Sequence, residues 1–349
     1  MSSLREVAKQ ANVAVSTVSA ALNGTRPVAA ATRARIELAA ADLGYRPNLL
    51  ARGLVSKRTG ILALLYPAPN RGFGLTEMQF ATSAAEAASE AGYHLLLSPD
   101  KSDPVAELRH LTGVGLIEGV LLMEVRLDDE RVDHLVAAGT PFSMIGRTRQ
   151  PAGISYADID FAATARDAVD HIVGLGHRTL AFLNHSPDAY AALYGPTVRC
   201  AEEFAVAAGD RGVEYLGDLH ADSVEQGRAA FEWLATNRPD VTAVAVMNDH
   251  AAVGVLGAVA DRGWRVPEDL TLLLVLSSVE VARMFHPRLT TLEPPSAELG
   301  RLGARMLIDQ LQPDAGEGKT PRQQLVPCRL VVGESSGPPR RGAETGVPE

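Results

Sequence analysis

The chain has 349 residues, 46% hydrophobic and 21% charged, with a formal net charge of −9. That length implies two or three domains, and no run approaches the ~20 apolar residues that span a bilayer. Two cysteines, Cys200 and Cys328, exclude a disulfide framework and suit a reducing cytoplasm, and MSSLREVAKQ lacks the apolar centre of a signal peptide. The charge is unevenly spread. Residues 1–60 hold nine Lys or Arg against three acids, a net +6, which leaves −15 on the remaining 289. A small basic head on a large acidic body points to an anion-binding module joined to something else.

In the head, Leu4, Val7, Ala8 and Ala11 fall on one helical face. After the break at ANVA, a second helix is expected from about Val15 to Leu22, stopped at Gly24. Its wheel groups Ala14, Val18, Ala21 and Leu22 inward, with Val15, Ser16, Ser19 and Ala20 opposite. A third, about Ala30 to Leu43, is expected to bury Ile36, Leu38, Ala39 and Leu43 and to end at Gly44. Two short helices joined by a tight turn, completed by a third, describe a helix-turn-helix module whose second helix enters the major groove. In GYRPNLLARGLVSKRTG (44–60), Pro47 interrupts and Asn48 can cap a short helix from Leu49 to about Leu54. Its leucines have little nearby to bury against, and Arg52, Lys57 and Arg58 surround them. Apolar wedges flanked by cations suit a minor-groove element.

LREVAKQANVAVSTVSAALNG, TRARIELAAADLGYRPNLLARGL and RTGILALL together resemble the opening of the LacI/GalR family of bacterial transcription repressors, a likeness that runs from about Leu4 to Gly333. The resemblance implies a homodimer on a pseudo-palindromic operator in double-stranded DNA. Ser16 and Thr17 would sit at the groove, Val15 against a thymine methyl, and Asn23 near phosphate. The hinge helix after Asn48 would face the minor groove with Ala51 and Leu54, Leu54 acting as the wedge. Ala20 stands where the family often has Arg, and Ala14 and Ala29 where it has Ser, so operator preference should differ at Ala20.

Beyond Gly60, strands and helices alternate. GILALLY (60–66), YHLLLSP (93–99), GVLLM (119–123) and PFSMI (141–145) are short apolar runs with helical patterns between them. A second cycle runs from FAATARDAVDHIVGLG (161–176) to LTLLLVL (270–276). This is the rhythm of parallel sheets covered on both faces, and two tandem units imply two doubly wound lobes. RLTTLEPPSAELGRLGARMLIDQL (288–311) would cross back, and QLVPCRLVVGES (324–335) would supply the last strand. The expected division is a DNA-binding head at 1–46, a hinge at 47–59, and an effector-binding and dimerisation body at 60–336. Its first lobe takes about 60–159 and 289–318, its second about 160–288 and 319–336, and the Pro/Gly-rich 337–349 forms a disordered tail.

Bilobal bodies place ligands at the C-terminal ends of the strands, and the resemblance implies a fold like periplasmic sugar-binding proteins with a small effector in the cleft. Asn248 and Asp249 match the family's cleft-facing pair, and Asp160 matches its acidic residue at the lobe crossing, with Phe161 where Asn is customary. Arg147 ends a strand, Arg199 stands one position ahead of the usual effector-gripping Arg, with Cys200 in that place, and Phe73 lies in an altered loop after the first strand. Leu276 stands where a ligand-binding Asp is expected, which points to a less polyhydroxylated or an anionic ligand.

Catalysis is not expected. His177, His185, His220 and His250 show no metal-ligand spacing. GLGHRT (174–179) lacks the third glycine of a dinucleotide fingerprint and reads as a helix stop. No serine has a nucleophile-elbow context, and no cofactor is implied. A cytoplasmic sensor with no role on DNA would account for the body but not for residues 4–58.

Overall fold

The computed structural model describes residues 3–23, 26–45, 59–67, 74–100, 103, 105–312 and 320–340. Asn48, Ala51 and Leu54 of the expected hinge, and Phe73, lie outside these described residues. The chain divides into two compact units, Met1–Ile61 with His110–Glu118, and Leu62–Arg109 with Gly119–Glu349.

In the first unit, α1 (Leu4–Gln10) opens on a capping box. The Glu6 amide donates to the Ser3 hydroxyl, and the Ser3 amide donates to the Glu6 carboxylate at 2.7 Å. Asn12, in the left-handed region at φ 50, makes the turn into α2 (Val15–Asn23). After α3 (Ala30–Asp42), Gly44 adopts φ 59. Val7, Ala8, Ala11, Val18, Ala21, Ile36, Ala39 and Ala40 form the core, and Arg33 Nη1 donates to the Ala21 carbonyl near the C-terminal end of α2 at 2.8 Å. Three residues depart from the expected helical wheels. Leu38 is 65% exposed, because Ile36, Ala39 and Ala40 make the inward stripe and a residue two positions from Ile36 faces away. Ala14 precedes α2 and is exposed. Ala20 is only 3% exposed, since α2 packs on both α1 and α3 and so buries a wider arc than one stripe.

Beyond the head helices the chain forms two α/β lobes. The first contains β1 (Ile61–Pro67), α4 (Leu75–Glu90), β2 (His94–Asp100), α5 (Ala106–Gly113), β3 (Gly119–Leu122), α6 (Glu130–Ala138), β4 (Phe142–Ile145) and β5 (Tyr156–Ile159). The other contains α7 (Phe161–Gly174), β6 (Thr179–Asn184), α8 (Pro187–Ala191), α9 (Gly195–Asp210), β7 (Glu214–His220), α10 (Val224–Asn237), β8 (Ala243–Val246), α11 (Asp249–Asp261), β9 (Thr271–Val275), α12 (Val279–Ala282) and β10 (Thr290–Glu293). The closing elements are α13 (Ser296–Leu311), β11 (Gln323–Val326) and β12 (Arg329–Val331). The strand orders are β11-β5-β4-β3-β1-β2 and β12-β10-β9-β8-β6-β7. Every residue of β3, β4, β6, β8 and β9 is buried, as strands covered on both faces require.

The lobe boundaries differ from those expected. Strand β10 pairs with β9 and belongs to the second sheet, whereas β11 pairs in parallel with β5 in the first. QLVPCRLVVGES is therefore two strands in two sheets, broken at Pro327, which has no N–H to continue a ladder. Its second half, β12, runs antiparallel to β10. The tail also differs, because residues 337–340 are packed. The Gly337 amide donates to Thr271 Oγ1 at 3.0 Å, Gly337 O lies 2.9 Å from His177 Nε2, and the Arg340 guanidinium lies 4.0 Å from the Trp264 ring centroid. Polar partners for the backbone and a ring for the cation offset the low hydrophobicity of this stretch. Gly176, at φ 102, follows α7 as the expected helix stop. Between α10 and α11, a Cβ on Gly254 would overlap the Val224 carbonyl, and one on Gly227 the Ala251 carbonyl. No helix among the described residues is long and apolar enough to cross a membrane.

Candidate functional site

On the head, α2 presents Val15 (41% exposed) and Ser16, with Thr17 and Ser19 half-buried beside them. Ala20 does not join this face, because its methyl is covered. Asn23 is the last residue of α2. Arg5, Lys9, Arg26 and Arg35 are exposed around these helices. Short hydroxyls and one apolar side chain on a slender helix allow close approach to base edges, while the cations match phosphates.

In the body, a cavity of about 220 Å³ opens at the C-terminal strand ends of both lobes. Two sets of contacts join the lobes around it. On one side the Ser278 amide donates to Thr76 Oγ1 at 3.1 Å, and Gln79 Nε2 to Glu280 Oε2 at 3.4 Å. On the other, Leu127 N donates to Leu193 O at 2.8 Å and Gly195 N to Val125 O at 3.1 Å. Glu124, Leu193 and Leu276 all adopt φ between 51 and 60, an uncommon region for non-glycine residues. Glu124 and Leu276 line the cavity at the ends of β3 and β9.

Of the expected effector residues, Arg199, Asn248 and Asp249 line the cavity. Arg147 supports it from behind, with Nη1 donating to Asp158 Oδ2 at 2.9 Å. Asp160 is placed elsewhere, its carboxylate accepting the Ala163 amide as the N-cap of α7. Phe161, the first residue of α7, is 3% exposed and belongs to the hydrophobic core. The acid that reaches the cavity is Asp158, two residues earlier on β5. Sequence reasoning missed it; a signal was present, since alternate strand residues share a face and both positions are Asp.

Asp158 is 5% exposed and lies 2.9 Å from Arg147 and 3.9 Å from Arg199 Nη1. Burial raises its pKa to about 6 in spite of the two guanidiniums. Burial also lowers the Arg199 pKa, and its Nη2 donates to Thr148 O at 3.1 Å. Arg199, the arginine among the described lining residues, is thus already engaged. Asn248 caps α11 through Oδ1, which accepts the Ala251 amide at 3.1 Å and leaves its Nδ2 as a donor. Beside it, burial raises the pKa of the Asp249 carboxyl in spite of the hydrogen bond it takes from the Ser277 hydroxyl. His185 reaches Asp222 through Nδ1 at 3.1 Å. No His/Cys/Asp/Glu group among the described residues is arranged to hold a metal. Donors, acceptors and apolar walls (Phe80, Ile145, Leu276, Leu299) suit a small polar ring.

Residues 3–48 match the family described as bacterial regulatory proteins, lacI family, and residues 169–336 match the periplasmic binding protein-like domain. The chain is 32% identical over 345 residues to the HTH-type transcriptional regulator CelR of Thermobifida fusca, covering 95% of this chain and 97% of that one. It is 28% identical over 311 residues to catabolite control protein A of Staphylococcus xylosus, covering 86% and 90%. A solved transcriptional regulator CelR–cellobiose complex matches with TM-score 0.69 and 28% identity over 96% of this chain and 100% of that one. The lac repressor dimer bound to operator and the anti-inducer ONPF matches in fold, with TM-score 0.82 and 23% identity over 96% and 99%. This chain belongs to the lacI family of bacterial regulatory proteins and is a DNA-binding transcriptional regulator.

Proposed function

We propose that two copies of the chain occupy adjacent half-sites of a pseudo-palindromic operator and repress transcription, under control of a small effector of the sugar class held between the lobes. Val15, Ser16 and Thr17 contact base edges, Asn23 contacts phosphate, and Asn48, Ala51 and Leu54 provide a hinge with Leu54 as a minor-groove wedge. In the body, Arg199, Asn248 and Asp249 hold the effector, with Arg147 and Asp158 fixing Arg199. The observation that carries this reading is the cavity itself, polar at both lobes' strand ends, in a chain that also bears a basic helix-turn-helix head.

The related CelR is known as a cellobiose complex, which supports a saccharide here. The space of about 220 Å³ lies below the roughly 300–1,000 Å³ of drug-sized pockets, so a single ring fits better than two. Because effector contacts come from both lobes, binding changes the angle between them and, through the hinge, DNA affinity.

Fluorescence anisotropy on duplex operator DNA as a function of salt tests the DNA half. The four exposed described cations of each head predict a slope of log K against log salt of about −7 for a dimer, at roughly −0.9 per phosphate. No measurable binding at low salt would remove the proposal.

A further inference from the structure

Behind the cavity lies a buried ion pair that the effector contacts leave unexplained. Arg131, in the first turn of α6, and Asp129, the N-cap of that helix, have side chains only 2% exposed. The guanidinium grips the carboxylate twice, Nε donating to Oδ1 at 2.9 Å and Nη2 to Oδ2 at 2.7 Å. Burial opposes ionisation of Asp129, but the hydrogen bonds and charge of Arg131 hold its carboxyl below the ordinary range. Capping a helix does not need a buried charge pair, since Ser223 and Ser278 cap α10 and α12 with neutral hydroxyls. The pair reaches beyond its own helix. Nη2 also donates to the carbonyls of Met123 and Glu124 at 3.3 and 3.2 Å, and Asp129 Oδ2 accepts the Arg126 amide at 3.1 Å.

The segment so fixed, residues 123–127, has two roles. Met123, Glu124 and Val125 line the cavity, with Glu124 in the left-handed region at φ 51. The same segment meets residues 193–195 of the second lobe, main chain to main chain. Leu127 N donates to Leu193 O at 2.8 Å and Gly195 N to Val125 O at 3.1 Å, and Arg126 and Tyr194 form an antiparallel bridge between these bonds. Leu193 is itself at φ 56. A Cβ on Gly195 would lie 2.8 Å from both Val125 O and Arg199 Nη1, so the two chains can approach this closely only with glycine there. Uncommon backbone conformations persist where the surroundings over-determine them, and in the first lobe the Arg131–Asp129 pair does so.

We propose that Arg131 is a positioning residue for the cleft: with Asp129 it presets residues 123–127, so that one segment both lines the cavity and latches the first lobe onto residues 193–195 of the second. Arg131 acts from behind the lining, through Met123 and Glu124. Because the latch is made of main-chain groups, closure on this side does not depend on what fills the cleft, and the choice of ligand is left to the side chains. The proposal thus goes beyond the saccharide reading and holds for any occupant.

Residue-resolved hydrogen exchange on the full-length protein at pH 7, with no added ligand, tests it, because exchange reports the local opening of a bonded amide. In Arg131→Gln and in Gly195→Ala, protection at Leu127 and at position 195 should fall about tenfold or more, while the amides of β1 and β9 stay within about twofold of wild type. Arg131→Lys, which keeps the charge but loses the planar fork, should fall between. Loss of protection at position 195 through a substitution in the other lobe is the result that a purely structural Arg131 would not give. Protection lost evenly over both sheets would make Arg131 a stabiliser of the fold and overturn the proposal. Unchanged protection at position 195 in both Arg131 variants would overturn it as well, and unprotected amides at 127 and 195 in the wild type would remove the latch itself. If Arg131→Gln fails to fold, Arg131→Lys and Gly195→Ala carry the same comparison. None of these readouts involves a sugar, so failure of the saccharide reading would leave them standing.

Discussion

Arg147→Met is the sharpest test of the network behind the cleft. Arg147 Nη1 and Asp158 Oδ2 are 2.9 Å apart, with side chains 20% and 7% exposed. At an effective dielectric of about 20, that separation corresponds to roughly 6 kcal/mol of attraction, and breaking a buried pair ordinarily costs about 3–5 kcal/mol. Asp158 has a way to avoid that cost. With its pKa at about 6, the protonated form at pH 7 lies only about 1 kcal/mol above the ionised one. When the guanidinium is removed, the carboxyl takes up a proton, and the loss falls to that gap plus about 1 kcal/mol for the hydrogen bond, or roughly 2 kcal/mol. At pH 5 the wild-type carboxyl is already largely protonated, so the gap vanishes and about 1 kcal/mol remains. Urea unfolding of both proteins at pH 7 and pH 5 reads the difference directly. A penalty equal at the two pH values, or larger at pH 5, would refute a protonatable Asp158 and with it the reasoning from burial.

Two further outcomes follow from packing and titration in the second lobe. Gly254→Ala drives a methyl into the Val224 carbonyl where α10 meets α11, and should lower stability by about 1–3 kcal/mol or more, read as a fall in thermal midpoint; an unchanged midpoint would mean the helices are not in such close contact. His177 is 1% exposed, bonded to Thr242 Oγ1 at 2.7 Å and to Gly337 O at 2.9 Å, and burial lowers its pKa below the ordinary 6.5. A depressed histidine is neutral when folded while the unfolded chain takes up protons, so its contribution is present above pH 6.5 and is lost as pH falls through and below that value. Stability measured from pH 7.5 to 5.5 should therefore decline more steeply in the wild type than in His177→Gln, and parallel curves would show that His177 titrates normally.

Periodicity made most of the elements legible, because strands buried on both faces leave continuous apolar runs, and GVLLM, PFSMI and LTLLLVL could be read as such. Strand β5 was not read, since Tyr156–Ile159 is short and contains Asp158, and nothing local distinguishes a strand carrying a buried, arginine-paired acid from a polar loop. The exchange of β10 and β11 between sheets was also hidden. Pairing of Thr290–Glu293 with β9 and of Gln323–Val326 with β5 is a long-range choice that local pattern does not contain. Composition misread residues 337–340 for the same reason: Gly337 is ordered by Thr271 and His177, far away in sequence.

The site divides along the same line. Asn248 and Asp249 could be found because a strand end followed at once by a capping amide is a local pattern, and the family likeness placed it at the cleft. Asp158 and Asp160 could not be separated by pattern, as two acids two residues apart on a strand share a face, and the difference arises only where the strand stops. At Ile159 the strand ends, so Asp160 turns to cap α7 while Asp158 stays in the sheet beside Arg147 and Arg199. Local chemistry therefore marks the residues fixed within one element, whereas the cavity draws its lining from both lobes and depends on long-range contacts such as that of Ser278 with Thr76. Selectivity in this body should accordingly respond more to substitutions that change how the lobes meet, at Thr76 and Ser278, than to conservative changes along the strands themselves.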